Sequence, residues 1–246
     1  MIVTTADWHG EWNKVIREIK RLELSDCTII QVGDFGIGFE KPEKELRTMQ
    51  YLNATLESNN IKLYAIRGNH DDPAYFDGTY KVGNIELLAD YTILNIEGKS
   101  ILCVGGAISV DRSPNPEVPN MYGKPWKGRK LGKSYWVDEA FVLCEEKLKD
   151  IRDIDVVVTH SAPAFCYPFI KSGMDKWIKY DPALKQDCAN ERKDHSKMHE
   201  ILVRNNTISH WFYGHYHESH HENINGTEFR LLGLNDNNIP EFFEIR

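Results

Sequence analysis

Three times within the first 72 residues, a short apolar run breaks off at a turn built from Gly, Asp, Asn or His. Residues 1–6 run into Asp7-Trp8-His9, residues 27–32 into Gly33-Asp34, and residues 61–66 into Gly68-Asn69-His70-Asp71. Runs of four to eight β-branched and aliphatic residues with such punctuation read as buried strands. Between them, residues 13–24 carry Val15, Ile16, Ile19 and Leu22 on one helical face, and Pro42 suits the first turn of a helix reaching Ser58. Strands alternating with helices require parallel crossovers, so this half of the chain reads as an α/β sheet covered by helices.

Beyond residue 72 the pattern changes. Residues 91–96 and 100–104 flank Glu97-Gly98 as an antiparallel hairpin, and Asn225-Gly226 marks a second one. Residues 137–149 and 187–204 read as helices. Residues 155–159 form a strand ending at His160, and residues 208–213 a strand ending at Gly214-His215-Tyr216-His217. Residues 109–136 read as a long loop, and 161–186 as irregular chain holding Phe165, Tyr167, Phe169, Trp177 and Tyr180. Packing of that loop on the core accounts for these aromatics at least as well as stacking on a base. No repeat or linker divides the sequence, so one domain over 1–246 is expected.

The overall charge of −7 provides no global basic field for nucleic acid or an acidic membrane. The five cysteines are scattered, odd in number and never C-x-x-C, which argues against a zinc knuckle or a secreted disulfide framework. No apolar run approaches a membrane span, and the first residues lack the basic and apolar regions of a signal peptide. A cytoplasmic location and no membrane partner are expected. No obligate protein partner is evident.

Ten histidines need a reason. Asp7-x-His9, Asp34, Asn69-His70, His160 and His215-x-His217 all follow strand ends, where open α/β sheets bind ligands. In extended chain, i and i+2 point the same way, so each x-separated pair can grip a common ion. An isolated Asp or His of this kind usually caps a helix or turn. Five such clusters after five strands make a metal site the better reading. His195 and His199, four apart beside Glu191, Arg192 and Lys193, read as a solvated helix face, and His210, His220 and His221 form no persuasive spacing.

The ordered set Asp7-x-His9, Gly33-Asp34, Gly68-Asn69-His70-Asp71, His160 and Gly214-His215-x-His217 resembles the calcineurin-like metallophosphoesterase family. The resemblance implies a sandwich of two mixed β-sheets flanked by helices, with a dinuclear metal centre at the C-terminal strand ends. By motif, Asp7, His9, Asp34 and His217 would hold one metal. Asp34 would bridge to a second, held also by Asn69, His160 and His215, while His70 would be catalytic and sit near the substrate phosphate. Two divalent cations among two carboxylates and neutral ligands leave a net positive centre suited to a phosphate ester. The mixed N/O set suits Mn²⁺, with Fe²⁺ or Zn²⁺ as alternatives.

Protein phosphatases of the family continue the second block as G-D-x-x-D-R-G, whereas Asp34 is followed by Phe35-Gly36-Ile37-Gly38. The missing Asp and Arg lower the Ser/Thr phosphatase and dinucleoside-tetraphosphatase readings and leave His70 without an orienting partner. Asp71 and Asp72 are candidates by proximity alone. The segment from Gly105 to Arg112, with Ser134-Tyr135-Trp136, resembles small bacterial and phage-type members. Arg67 and Arg112 are candidate phosphate contacts. Residues 109–136 hold six Lys/Arg against two acids, either a steering arm or a solvated loop.

These readings point to a metal-dependent phosphoesterase acting on a mono- or diester by attack of metal-bound hydroxide. Its substrate would be a phosphorylated small molecule, a nucleotide or a short nucleic acid. A nuclease or cyclic-nucleotide phosphodiesterase is the enzymatic alternative. A non-catalytic scaffold on the same fold predicts decay at Asn69 or His70, and neither has decayed.

Overall fold

The computed structural model describes residues 1–245, and the alternation of the first 72 residues becomes β1 (Ile2–Thr5), α1 (Trp12–Arg21), β2 (Cys27–Val32), α2 (Pro42–Ser58) and β3 (Ile61–Ile66). β1, β2 and β3 pair in parallel. Two short strands follow, β4 (Lys81–Val82) and β5 (Ile85–Leu87), of which β5 joins β3 in parallel and β4 closes that edge antiparallel.

The Glu97-Gly98 hairpin is β6 (Thr92–Ile96) and β7 (Lys99–Val104). Residues 109–136, expected as loop, contain a small ribbon of β8 (Asn115–Pro119) and β9 (Pro125–Trp126). After α3 (Glu145–Leu148) come β10 (Val156–Thr159), α4 (Asp175–Ile178), α5 (Leu184–Leu202) and β11 (His210–Tyr213). The Asn225-Gly226 hairpin is β12 (His220–Ile224) and β13 (Thr227–Leu231), and β14 (Phe243–Ile245) returns to lie antiparallel beside β1.

The result is two mixed six-stranded sheets, β14-β1-β2-β3-β5-β4 and β12-β13-β11-β10-β7-β6, parallel inside and antiparallel at the edges. Ile2, Ile30, Val32 and Ile66 from the first sheet meet Ile101, Cys103, Val156, Val158 and Phe212 from the second in one buried cluster. The outer face of the first sheet is covered by Val15, Ile16 and Ile19 of α1 and Met49, Leu52 and Leu56 of α2. The second is covered by Met198, Ile201 and Leu202 of α5. Strands that are apolar on both faces are what such a double-covered sandwich demands. Among the described residues, no helix is long and apolar enough to cross a membrane.

The helix expected over 137–149 is confined to Glu145–Leu148. The carbonyls of Asp138, Glu139 and Ala140 accept hydrogen bonds from the Arg67 guanidinium, and that of Glu139 also accepts from Ala107 N–H. Tertiary partners have taken the acceptors that an α-helix would use.

The expected solvated face of α5 is also corrected. Glu191, Arg192 and His195 are all buried. His195 stacks on Phe141 with ring centroids 3.9 Å apart, and neither of its ring nitrogens has a hydrogen-bond partner among the described residues. Arg192 donates to the carbonyls of Pro163, Cys166 and Pro168, fastening the irregular segment to the helix. Arg192 faces inward because the loop it packs on carries carbonyl oxygens for its guanidinium to meet.

Candidate metal centre

Strands β1, β2 and β3 are neighbours in one sheet, and β10 and β11 in the other, so their C-terminal turns converge at one end of the sandwich. Cross-turn backbone bonds lash them together: Asp7 N–H to Gly33 O at 3.1 Å, His9 N–H to Asp34 O at 2.8 Å and Gly214 N–H to His160 O at 3.1 Å. The His215 N–H crosses between sheets to the Asp7 carboxylate at 3.0 Å. Gly33 and Gly68 are required by close approach. A Cβ on Gly33 would lie 2.3 Å from the His160 ring, and one on Gly68 would lie 2.2 Å from Asp34 Oδ1.

Asp7, His9, Asp34, His215 and His217 all have left-handed backbone, with φ of 57°, 47°, 56°, 72° and 60°. The extended i, i+2 geometry expected for Asp7/His9 and His215/His217 is therefore replaced by tight turns. His215 and His217 face different ligand groups. Left-handed conformations cost a non-glycine residue roughly 1–2 kcal/mol each and gather where function holds them in place.

One set of potential metal-binding atoms comes from Asp7, His9, Asp34 and His217, and a second from Asp34, His160 and His215; within each set the atoms lie within 4.8 Å of one another. Asn69 adjoins the second set, its Oδ1 2.7 Å from His215 Nδ1. The chemistry of these donors suits cations. His9 Nε2 and His217 Nε2 face each other at 3.0 Å, and His9 Nε2 lies 3.7 Å from Asp34 Oδ2. His160 Nδ1 donates to Val32 O at 2.8 Å, which turns the buried Nε2 into the cluster, 3.1 Å from Asp34 Oδ1. A backbone carbonyl on one ring nitrogen, leaving the other free, is the arrangement of a metal-ligating histidine.

Burial opposes charge throughout this cluster, and the carboxylates decide where charge survives. Burial alone would raise the Asp34 carboxyl, but His160, then His70 and His9, hold it well below the usual carboxylate range. Burial would lower His160, yet Asp34 and Asp7 lift its imidazole to about 9. Asp7 is pushed up to about 7 by burial, against the pull of His160. His215 is held well below the usual imidazole range by burial and by Lys171. A proton on His160 thus balances Asp34, the place a cation would take.

Around this cluster the structure redistributes the expected substrate contacts. Arg67 is buried, and all five of its N–H donors are spent: two on Asp90 and three on the carbonyls of Asp138, Glu139 and Ala140. It braces the wall behind the site and has no donor left for phosphate. Arg112 is engaged by Asp181 and Asp187, tying residues 109–136 to α5 rather than reaching the centre. The cation that does arrive is Arg129. It is anchored by Asp111 and the carbonyls of Asn69 and Ser134, with a guanidinium nitrogen against His70 Nε2.

Neither Asp71 nor Asp72 partners the His70 ring. Asp71 accepts from the N–H groups of Phe35, Gly36, Ile37 and Gly68, clamping the β2 turn to the β3 turn, and Asp72 caps the single 3₁₀ turn at Pro73–Tyr75. Lys171, from the irregular segment, donates to His215 O at 2.6 Å. Burial lowers its ammonium, against the pull of Asp34 and Asp7. Only the basic composition of 109–136 hinted at Arg129, and nothing in the local pattern marked Lys171.

A lariat debranching enzyme from Entamoeba histolytica is 22% identical over 203 residues, 82% of this chain and 52% of that protein. The DNA double-strand break repair protein Mre11 from Methanocaldococcus jannaschii is 31% identical over 87 residues, 35% of this chain and 23% of that protein. The chain thus spans about half the length of the first of these relatives and about a quarter of the second. A dimetal phosphatase from Danio rerio has a similar structure, with a TM-score of 0.48 and 10% identity over 94% of this chain and 86% of that one. The family model described as calcineurin-like phosphoesterase matches residues 1–219. The chain belongs to the calcineurin-like phosphoesterase family.

Proposed function

We propose that this chain, acting as one domain over 1–246, is a metal-dependent phosphoesterase that hydrolyses a phosphate mono- or diester. The observation that carries the reading is the pair of donor groups that share Asp34. In this reading, Asp7, His9, Asp34 and His217 hold one divalent cation, and Asp34, Asn69, His160 and His215 hold a second, with Mn²⁺ the preferred ion. Two such cations supply Lewis acidity toward phosphoryl oxygen and make a water nucleophilic at neutral pH.

The remaining steps belong to the chain itself. Asp34, held ionised against burial by the surrounding histidines, supplies the negative charge of the centre, and a cation would draw the proton from the Asp7 carboxyl that burial lifts to about 7. His70 and Arg129 face the position where a phosphoryl group would stand. A guanidinium has only donors, so His70 Nε2 accepts from Arg129 and the imidazole is neutral there. A bound phosphate would compete for that donor and free Nε2, which would then have to take up a proton, from the ester or from water, before it could donate to the phosphoryl or leaving oxygen. The expected place of action is the cytoplasm.

Nuclease or cyclic-nucleotide activity is the second reading, favoured by the ribbon of β8 and β9. Its turn exposes Met121 at 87% and Tyr122 at 75%, and Lys124, Lys127, Lys130 and Lys133 are exposed nearby. The names of the two curated relatives agree with a nucleic-acid substrate.

The test is a metal-by-substrate screen comparing an aryl phosphate, an aryl phosphodiester, a 2′,3′-cyclic nucleotide, single-stranded nucleic acid and a phosphopeptide. Hydrolysis should vanish with chelator, return with Mn²⁺ and be abolished by Asp34→Asn. Metal-independent turnover, or full activity in Asp34→Asn, would overturn the reading.

A further inference from the structure

Beside the His215 ring lies a cavity of about 170 Å³, bounded by the irregular segment, α4, the start of α5 and Tyr216, and open to solvent at Phe169 and Ile170. Val110, Ile170, Met174, Ile178 and Tyr216 supply an apolar lining. Met174 packs with Ile108 and Leu184 in a small cluster of its own, joined by Val110 and Ile178 and separate from the cores on the two sheets. Sheet packing therefore does not account for this space.

The charged groups on its wall sit apart from this lining: Asp175 and Lys185 stand on α4 and α5, and Glu191 is buried with its Oε2 unpartnered among the described residues. The Arg192 guanidinium is spent on three carbonyls and lies 5.5 Å over the Tyr216 ring. Lys171 stands where the cavity meets the candidate centre, its ammonium on His215 O at 2.6 Å and 3.4 Å from His215 Nε2. The two ends thus differ in chemistry: cation and metal ligands on one side, aliphatic and aromatic walls on the other. Sites that orient a small ligand have this form, an apolar enclosure with a few convergent polar groups.

We propose that this cavity receives the organic substituent of the substrate, and that the substrate class is a phosphate ester bearing a compact apolar alkyl or aryl group. The phosphate would lie toward Lys171 and the donor groups, and the substituent would pass behind His215 between Met174, Ile178 and Tyr216. The inference rests on the phosphoesterase reading above for the phosphate end, and on the cavity alone for the other. A phosphorylated protein side chain, with polar backbone on both sides, does not suit a cavity of this size and apolar lining.

Calorimetric titration of the full chain in Mn²⁺ with inorganic phosphate and with methyl-, butyl- and benzylphosphonate tests it without relying on turnover. Affinity should rise along the alkyl series by about fourfold per buried methylene until the cavity is filled. Ile178→Asp, which places a charge in the α4 wall, should flatten the series. The wild-type series is decisive even if that variant does not fold. Equal affinity for methyl- and butylphosphonate would overturn the subsite, whether or not the protein hydrolyses esters. A rising series in a protein that hydrolyses no phosphoester would keep the subsite and remove the phosphoesterase reading.

Discussion

Arg129, carried in from the β8–β9 excursion, meets His70 at the end of β3 through a guanidinium nitrogen against Nε2. Its Nε is held by Asp111, and a further N–H donates to Asn69 O, so the fork is pre-aimed before any ligand arrives. On the phosphoesterase reading, this geometry would supply an arginine beside His70 although the G-D-x-x-D-R-G block is absent. If Arg129 contacts the phosphate, Arg129→Ala should lower kcat/KM by roughly 10- to 100-fold, the worth of one charge-assisted hydrogen bond. Arg129→Lys should recover only part, because a point charge cannot reproduce the fork. Steady-state kinetics on an aryl phosphate measure both, and wild-type values in Arg129→Ala would exclude the contact.

Arg67 should behave in the opposite way. Removing its guanidinium takes the donor from the carbonyls of Asp138 and Ala140 and leaves Asp90 with Gly105 N–H and Glu139 O with Ala107 N–H. Breaking a buried ion pair costs about 3–5 kcal/mol. Arg67→Met should therefore lower the melting temperature by about 6–20 °C, at the 2–4 °C per kcal/mol usual for a chain of this size. Thermal unfolding followed by circular dichroism checks this. A stable variant with a raised KM would return Arg67 to the binding role.

Asp71 is the fastener between the β2 and β3 turns, accepting four backbone N–H groups. Asp71→Asn loses the charge that these donors converge on and turns an amide NH₂ toward at least one of them. Each buried donor left unsatisfied costs about 1–3 kcal/mol. Because the two turns carry Asp34 and Asn69, Mn²⁺ affinity should weaken together with stability. Calorimetric Mn²⁺ titration beside a denaturant melt separates the two, and unchanged Mn²⁺ binding would show that the turns hold without the fastener.

Burial holds His195 down at about 3, against 6.5 for a free imidazole. Between these values the unfolded chain binds a proton that the fold refuses, so stability rises with pH across that window. The contribution is complete above pH 6.5 and is lost on acidification, by at most about 1.4 kcal/mol per pH unit. His195→Leu should flatten the acid limb of a stability–pH profile while keeping the contact with Phe141. Parallel profiles for the two proteins would contradict this assignment.

The ligand turns were legible because their information is local. A strand, a glycine and a carboxylate or imidazole at the strand's end suffice to place Asp7, Asp34, Asn69, His160 and His215 at one edge once parallel topology is granted. The backbone at Asp7 and His215 was not legible, since the left-handed turn depends on bonds from Asp7 N–H to Gly33 O and from His215 N–H to Asp7. Arg67 and Arg112 were misplaced for a similar reason: adjacency to a motif says nothing about which acceptors a long side chain will find. In the irregular segments, Lys171 and the inward face of α5 follow from contacts between chain regions far apart in sequence. The stretch 137–144 shows the same competition, since Arg67 takes the carbonyl oxygens that a local helix would have used.

Asp7, His9, Asp34 and Asn69 hang from one sheet, and His160, His215 and His217 from the other, so the centre straddles the seam of the sandwich. An ion gripped from both sides would act as a clasp: the layers could not part at that end without surrendering it. The fold and the ion are then thermodynamically linked, with about 2.7 kcal/mol added to the folded state at a hundredfold excess over the dissociation constant. Amide exchange at Ile30, Val158 and Phe212, midway along the seam, should slow when Mn²⁺ is present and quicken with chelator, reporting the clasp from residues that never touch the ion.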